Sequence, residues 1–223
     1  MMLRDGVFDR RRQRLVDKMR ENGITDERVL AAIGSVHRHR FVEGAFRPRA
    51  YEDEALPIGM KQTISQPFTV AYQTMLLNPR PGDRILEIGT GSGYQAAVLC
   101  EMGARVFSIE RHRPLLARTR SILESLGYRV VLRAGDGTLG WESQAPFDGI
   151  VVTAGASEAP EALLQQLHIE GEDDKPAGRL VIPVGDRRTQ TMNLYRRLGK
   201  DDYERTASRN FKFVPLIGKQ GGL

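Results

Sequence analysis

The sequence predicts an α/β fold built on a doubly wound, mostly parallel sheet, and three observations support this. From residue 80 onward, short apolar runs alternate with segments of helical periodicity. The first of these runs leads into three alternating glycines, and a predicted helix follows them. The order strand, helix, strand, helix favours parallel strands with helices on both faces of the sheet. The predicted strands are 84–88, 105–109, 129–133, 149–153 and 179–184, and the predicted helices are 94–102, 113–126 and 160–167.

Two more apolar runs, 192–198 and 206–214, complete the predicted sheet. No convincing helix lies between them. We therefore expect them to be antiparallel additions at one edge of the sheet. The acidic stretch 170–177 predicts an exposed surface loop, of the kind that tolerates insertion.

The first third of the chain predicts helices and loop. Residues 9–33 have helical periodicity with one break, after which Thr25 or Asp26 can cap a second helix. Residues 44–66 contain prolines and glycines with few periodic apolar residues, and they predict mostly loop. A further helix is expected over 67–77. With 223 residues in all, we expect a helical extension and covering segment over 1–78 and an α/β domain over 79–223, packed as one compact unit.

Composition limits the possible classes of protein. Hydrophobic residues make up 40% of the chain, and no apolar run approaches the ~20 residues that cross a bilayer. Residues 1–14 are arginine-rich without an apolar core, so we expect a cytoplasmic protein without a secretory signal or membrane contact. The single cysteine, Cys100, cannot form an internal disulfide, and no Cys/His spacing predicts a metal site. The net charge of +5 is partly N-terminal, and a solvated helix face is the simpler interpretation of it than a nucleic-acid surface.

The glycine loop at 89–93 is the most informative segment. Glycine permits positive φ and lets a ligand approach the main chain closely. The loop follows the first strand of the sheet, and open α/β sheets bind ligands at the carboxyl ends of their strands. The run 91–96 also satisfies the dinucleotide fingerprint with alanine in the last position, so on this loop alone an NAD-binding protein is an alternative.

Acidic residues at the ends of three successive strands discriminate between NAD and a second adenosyl ligand, S-adenosyl-L-methionine. Glu87 would lie where a pyrophosphate must bind and would repel it, whereas S-adenosyl-L-methionine carries a sulfonium and an ammonium that an acid attracts. Glu110, after the second strand, can accept hydrogen bonds from both hydroxyls of a ribose. Asp136, between two glycines after the third strand, could meet an adenine amino group or cap a turn. Together the three acids favour S-adenosyl-L-methionine over NAD.

The segment 62–68 allows two interpretations before any resemblance is considered. Ser65 and Thr63 precede Pro67, so one of them could cap a helix that has proline in its first turn. Alternatively, the polar side chains could serve a binding site at the edge of the sheet.

The sequence resembles the protein-L-isoaspartate O-methyltransferase family over about residues 24–217. The matching segments are TISQP at 63–67, LEIGTGSGYQ at 86–95, GDG at 135–137, APFD at 145–148, GRLVIPVG at 178–185 and FVPL at 213–216. The glycine loop is shared by many methyltransferases, whereas the first and last of these segments are much more restricted. The insert at 170–177 and the end of the chain in two glycines and a leucine depart from the family pattern.

The resemblance implies a function and a site. It implies an S-adenosylmethionine-dependent fold with rearranged last strands and an activity on damaged proteins and peptides that contain L-isoaspartyl residues. Ser65 corresponds to the residue that the family assigns to the active site. The implied cofactor-binding residues are Gln62, Thr63, Ile64, Glu87, Gly89, Gly91, Ser92, Gly93, Glu110, Asp136 and Gly137. We expect a monomer without nucleic acid; the alternatives are a methyltransferase of RNA or of a small molecule, and a cofactor-binding scaffold without catalysis.

Overall fold

The computed structural model describes residues 5–222, with side chains from residue 8 onward. Two helices come first, α1 over Asp5–Glu21 and α2 over Glu27–Ser35. Asp26 caps α2, because its side chain accepts a hydrogen bond from the Arg28 amide at 2.9 Å. The sequence-based prediction of two helices with a cap at this point is confirmed for the described residues.

The stretch predicted as mostly loop contains more structure than expected. Residues 44–66 hold a 3-10 helix, Gly44–Arg49, and a short antiparallel hairpin, and a further 3-10 helix, Arg38–Arg40, lies just before them. The hairpin strands are β1, Leu56–Gly59, and β2, Gln62–Ile64. Met60 and Lys61 form its turn with φ of 51° and 58°. Turns of this hand usually carry Asn-Gly or Asp-Gly, and because neither pair occurs here, no local pattern predicted the hairpin.

Helix α3 and the main sheet follow. Helix α3 spans Pro67–Leu77 with the proline in its first turn. Five strands of the sheet run parallel: β3 Arg84–Ile88, β4 Arg105–Glu110, β5 Val130–Ala134, β6 Gly149–Val152 and β7 Arg179–Gly185. With β8, Gln190–Arg197, and β9, Tyr203–Phe211, the sheet has the order β5-β4-β3-β6-β7-β8-β9. The helices between them are α4 Tyr94–Glu101, α5 Arg113–Ser125 and α6 Glu161–Gln165.

The last two strands are antiparallel, which confirms the expected rearrangement at one edge. Strand β8, Gln190–Arg197, pairs antiparallel with β7, and β9, Tyr203–Phe211, pairs antiparallel with β8. Strand β9 lies at the sheet edge, and its residues are mostly exposed. It begins before the predicted run and ends before Val214. The residues after it turn away towards the carboxyl end of β6, where Gly155 bridges to Pro215.

Alternating side chains of the sheet enter two cores. Ile85 and Val106 face a core shared with α1 to α4, and Leu86 and Phe107 face the opposite one. Because the N-terminal helices share the first core, they pack directly on the α/β part. The insert over 170–177 contains a 3-10 turn, Glu172–Asp174, and is largely exposed.

Two further observations concern the described part of the chain. None of its helices is long and apolar enough to cross a membrane. Within residues 5–222, no group of three or more His, Cys, Asp or Glu side chains is arranged to hold a metal ion.

Candidate active site

A cleft opens at the carboxyl ends of the parallel strands, on both sides of β3. Its floor comes from the ends of β3, β4 and β6, and its walls come from the hairpin side of the covering segment and from residues 214–217 near the C-terminus. Of the residues predicted from sequence, those that line it are Gln62, Thr63, Ile64, Ser65, Glu87, Gly89, Gly91, Ser92, Glu110 and Gly137. Gly93 and Asp136 do not line it. The fold therefore brings together segments that lie far apart in the chain.

The glycine loop after β3 is tightly fitted to its surroundings. Gly89, Gly91 and Gly93 have φ of 96°, 52° and 89°, values that favour glycine. A Cβ on Gly89 would overlap the hydroxyl of Thr153, and one on Gly93 would lie 2.7 Å from a methyl carbon of Thr119. Gly93 thus serves the close packing of α4 against α5, whereas Gly91 lines the cleft.

Glu87 is a buried acid with no cationic partner among the residues that the structure describes. Its side chain is fully buried, and one carboxylate oxygen accepts a hydrogen bond from the Ser108 hydroxyl. Ser108 is the residue directly beside it on β4, so the strand register creates this contact. No residue that the structure describes forms a hydrogen bond of good geometry with the other oxygen, Oε1. Burial is the main cause that raises the pKa of Glu87 to about 8; the Glu110 charge adds to it, and the Ser108 hydrogen bond opposes it.

Glu110 is held in place by two main-chain amides. Its Oε2 accepts from the Gly91 amide at 3.0 Å, and its Oε1 accepts from the His112 amide at 2.9 Å. The carboxylate therefore fixes the glycine loop and the turn after β4 relative to each other. Each carboxylate oxygen has a second lone pair, so both can still accept a hydroxyl hydrogen from a ligand in the cleft.

Asp136 forms a turn beside the cleft instead of lining it. Its Oδ1 accepts from the amide and the hydroxyl of Thr138, at 2.9 and 2.7 Å. Its Oδ2 accepts from the amide of Lys219 at 2.8 Å. Of the two interpretations offered by the sequence, this is the geometry of the turn cap. Gly137, the next residue, does line the cleft.

Ser65 lies between β2 and α3, half-buried at the cleft wall. It is not the helix cap, because Gln66 occupies the capping position of α3. The Gln66 side chain makes no capping hydrogen bond to the helix. The Ser65 hydroxyl makes no hydrogen bond to any residue that the structure describes. Asp53 caps α3 from another part of the chain, since its Oδ1 accepts from the Phe68 amide at 2.8 Å. The hydroxyl of Ser65 is thus available to a ligand.

Asp53 and Arg38 are functional neighbours that sequence reasoning missed. The basic excess of the N-terminal part predicted a solvated surface, but Arg38, one of its arginines, is completely buried. Its guanidinium donates to the carbonyls of Ala50 and Glu54, at 2.9 and 3.2 Å, and lies 4.7 Å from the centre of the Tyr94 ring. Burial lowers the pKa of Arg38 to about 10. These contacts fix the loop that carries Asp53, and only the tertiary fold reveals them.

The cleft fits a cationic adenosyl ligand better than a dinucleotide. A pyrophosphate beside the glycine loop would approach the buried acid Glu87, and its negative charge would oppose ionisation of that acid. An ammonium or sulfonium would instead meet an unpartnered carboxylate oxygen. Glu110 supplies acceptors at the position that suits ribose hydroxyls. Fold and cleft together define a class, the S-adenosylmethionine-dependent methyltransferases.

Comparison with known proteins narrows this class to one family. The profile of protein-L-isoaspartate(D-aspartate) O-methyltransferase matches residues 10–221, and the chain belongs to that family. A relative from Salinibacter ruber, a protein-L-isoaspartate O-methyltransferase, is 62% identical over 98% of this chain and 96% of its own length. One of the same name from Chlorobium limicola is 51% identical over 95% and 94%. The chain is therefore a methyl-transferring enzyme that uses S-adenosyl-L-methionine.

Solved structures agree with the fold. A protein-L-isoaspartate O-methyltransferase superposes with a TM-score of 0.82 at 28% identity, covering 94% of this chain and 67% of that one. A second structure, from Plasmodium falciparum and in complex with S-adenosyl-L-homocysteine, has a TM-score of 0.78 at 23% identity over 92% of this chain and 98% of its own. The mixed sheet with antiparallel last strands is thus the family's architecture.

Proposed function

We propose that the cleft binds S-adenosylmethionine at Glu87, Glu110 and the glycine loop, and that Ser65 positions the free α-carboxylate of an L-isoaspartyl residue for methylation. The observation that carries the proposal is the pairing, in one cleft, of two anchored acids with a serine hydroxyl that makes no hydrogen bond to any described residue. The acids suit the donor, and the hydroxyl suits a carboxylate acceptor.

The chemistry needs positioning more than proton transfer. An α-carboxylate has a reference pKa near ~3.5, so it is ionised at neutral pH and requires no general base. S-adenosylmethionine, when bound, supplies a methyl group on a positively charged sulfur. The protein contributes the orientation of the attacking oxygen in line with that methyl and the exclusion of water. Ser65 orients the attacking oxygen by donating a hydrogen bond to the carboxylate or to the neighbouring backbone.

The covering segment excludes water from the cleft. Gln62 and Thr63 form the cleft wall beside Ser65, while Ile64 is buried and holds the hairpin on the core. Methyl transfer converts the carboxylate to a methyl ester. Attack by the following backbone nitrogen then closes a succinimide and expels methanol, and hydrolysis restores part of the normal aspartyl linkage. Damaged proteins and peptides are accordingly the proposed substrates.

A pair of peptides tests this function. The purified protein is incubated with methyl-labelled S-adenosylmethionine and either an isoaspartyl peptide or its normal aspartyl counterpart. We expect label only in the isoaspartyl peptide. Equal labelling of both peptides would contradict the proposal. Labelling of RNA in a parallel incubation, with neither peptide labelled, would contradict it too and favour the alternative of an RNA methyltransferase.

We further propose that the enzyme acts as a cytoplasmic monomer without nucleic acid. The basic N-terminal residues are partly engaged within the protein, which supports this. Arg12 pairs with Asp9 at 2.8 Å, Arg11 donates to the Pro48 carbonyl at 2.6 Å, and Arg38 is buried. Sedimentation of the purified protein, with and without RNA, measures its oligomeric state and its binding to RNA. The division into a covering segment over 1–78 and an α/β domain over 79–223 likewise stays a proposal.

A further inference from the structure

The C-terminal strap, defined as residues 214–222, forms one wall of the cleft. It contacts the loops that follow β6 and β5. At β6 the contacts are main-chain: Gly155 donates to Val214 at 2.8 Å, Leu216 donates to Gly155 at 2.7 Å, and Ser157 donates to Gly222 at 2.8 Å. Leu216 and Ile217 line the cleft, and Ile217 remains 56% exposed there.

At β5 the strap is held by two side chains. Asp136 accepts from the Lys219 amide at 2.8 Å, and the Thr138 hydroxyl accepts from the Gln220 amide at 3.1 Å. The same hydroxyl donates to Asp136, so the two side chains form one hydrogen-bonded unit. Thr138 is completely buried and does not line the cleft. Its polar group therefore serves the protein and not a ligand.

Close packing at Gly218 supports the same interpretation. A Cβ on this residue would overlap Asp136 Oδ1 and lie 2.6 Å from the Thr138 side chain, so the strap rests directly on the pair. Partial burial alone would raise the pKa of Asp136, but the hydrogen bonds from the Lys219 amide and from Thr138 lower it overall. The acid is thus ionised and committed to main-chain donors at neutral pH.

We propose that Asp136 and Thr138 are positioning residues that anchor the C-terminal strap, and that the anchored strap sets Leu216 and Ile217 as the apolar wall against which the cofactor packs. Asp136 then acts on cofactor binding through the strap. The inference rests on the proposed cofactor site, but the anchoring itself can be measured without cofactor or substrate.

Trypsin provides that measurement. The Lys219–Gln220 bond is the site of cleavage, and both of its flanking amides are tied down by the anchor. Cleavage requires local release of the strap. We expect Asp136→Ala and Thr138→Val to raise the cleavage rate at this bond ~5-fold or more, as the loss of one or two hydrogen bonds implies. Intact-mass spectrometry follows the loss of the last four residues, 220–223.

Asp186→Ala is the matched control. Asp186 Oδ1 caps a turn in the same way, accepting from the Arg188 and Thr189 amides at 2.7 and 2.9 Å, but it lies in the β7–β8 connection outside the cleft. This variant should leave cleavage at Lys219 unchanged. A general loss of stability would speed cleavage at many sites, whereas anchoring predicts an increase confined to the strap.

Binding of S-adenosyl-L-homocysteine, measured by calorimetry, completes the test. Asp136→Ala and a chain ending at Ile217 should each weaken binding, and their combination should weaken it no further than the stronger single change. Two results would overturn the proposal. One is weakened binding by Asp136→Ala with unchanged cleavage and additive effects, which would mean direct contact between Asp136 and the cofactor. The other is unchanged cleavage in both variants.

Discussion

The two sides of the cleft differ in how their polar groups are held. On the sheet side, Glu87 and Glu110 lie on strands β3 and β4 and are at most 5% exposed. The Glu87 carboxylate accepts a hydrogen bond from the neighbouring strand, and the Glu110 carboxylate accepts one from the glycine loop. On the covering side, Ser65 is half-buried, makes no hydrogen bond within the described chain and depends on Asp53 and Arg38 for its place. The difference indicates that cofactor binding is built into the sheet, whereas substrate positioning depends on a segment that tertiary contacts hold in place.

Glu110→Ala should have the largest effect, because it removes the carboxylate that anchors the glycine loop and offers acceptors to a ribose. Each lost hydrogen bond to a charged group costs about 1.5–3 kcal/mol, so affinity for S-adenosyl-L-homocysteine should fall ~100-fold or more. Calorimetry measures this, with Glu110→Gln as an intermediate variant. An affinity within about threefold of the original, on the same scale, would show that the sheet side does not depend on this acid.

Ser65→Ala tests the covering side. We expect kcat on an isoaspartyl peptide to fall about 10- to 100-fold, the range of one hydrogen bond to a charged group, while affinity for S-adenosyl-L-homocysteine changes little. Ser121→Ala, on the exposed surface of α5, is the matched control. If Ser65→Ala retains the original rate, or loses cofactor affinity instead, the proposed separation of the two sides is wrong.

Glu87→Gln sharpens the comparison through pH. Because burial raises the pKa of Glu87 to about 8, the ligand-free side chain is neutral below that pH. A cationic ligand favours the ionised form, so affinity should increase as pH rises towards 8, by at most ~10-fold per pH unit. The ratio of wild-type to Glu87→Gln affinities cancels titration of the ligand itself. A ratio that stays constant between pH 6 and 8, a window on the scale of a buried acid, would mean that Glu87 does not meet the ligand's charge.

The same acid gives a stability prediction for the ligand-free protein. Its folded-state pKa lies above the ordinary value of 4.5, so the folded state holds a proton that the unfolded state releases between these values. The free energy of unfolding therefore decreases as pH rises from about 4.5 to about 8. Denaturant unfolding at several pH values should show a smaller decrease for Glu87→Gln than for the original protein.

Asp53→Ala should have the smallest effect. It removes the acceptor at the start of α3, and loss of such a cap costs about 1 kcal/mol. Because Ser65 precedes this helix, we expect KM for the peptide to rise a few-fold, on the scale of one hydrogen bond, with little change in cofactor affinity. Asp53→Asn keeps an acceptor oxygen and should restore most of the loss. Equal effects of both substitutions would mean that the charge matters and not the cap.

Local pattern was sufficient for the sheet side of the cleft. The predicted strand at 84–88 has the bounds of β3, since a short apolar run that ends in glycines determines both of its ends. Strand β9 was displaced from its prediction, because pairing with β8 sets its limits and local hydrophobicity does not. The predicted helix over 160–167 is only Glu161–Gln165, because its last residues turn to bridge Leu167 to Phe147.

The covering side could not be derived in this way. The resemblance pointed to Ser65, but nothing local shows that Asp53 caps α3 or that Arg38 is buried, since both contacts join residues more than ten positions apart. Asp136 is the intermediate case. The sequence offered a turn or a ligand contact, and its partners near residue 219 become visible only when the chain end returns to the sheet.

The exposed last strand has a consequence for an enzyme whose substrates are other protein chains. An open sheet edge can recruit such chains by backbone pairing and lead to aggregation. Strand β9 carries Glu204, Arg205 and Arg209 along this edge, and Arg209 is also stacked over Phe68 and Tyr72. Charged side chains at a free edge discourage such pairing. They therefore protect the enzyme from aggregating with the proteins that it binds.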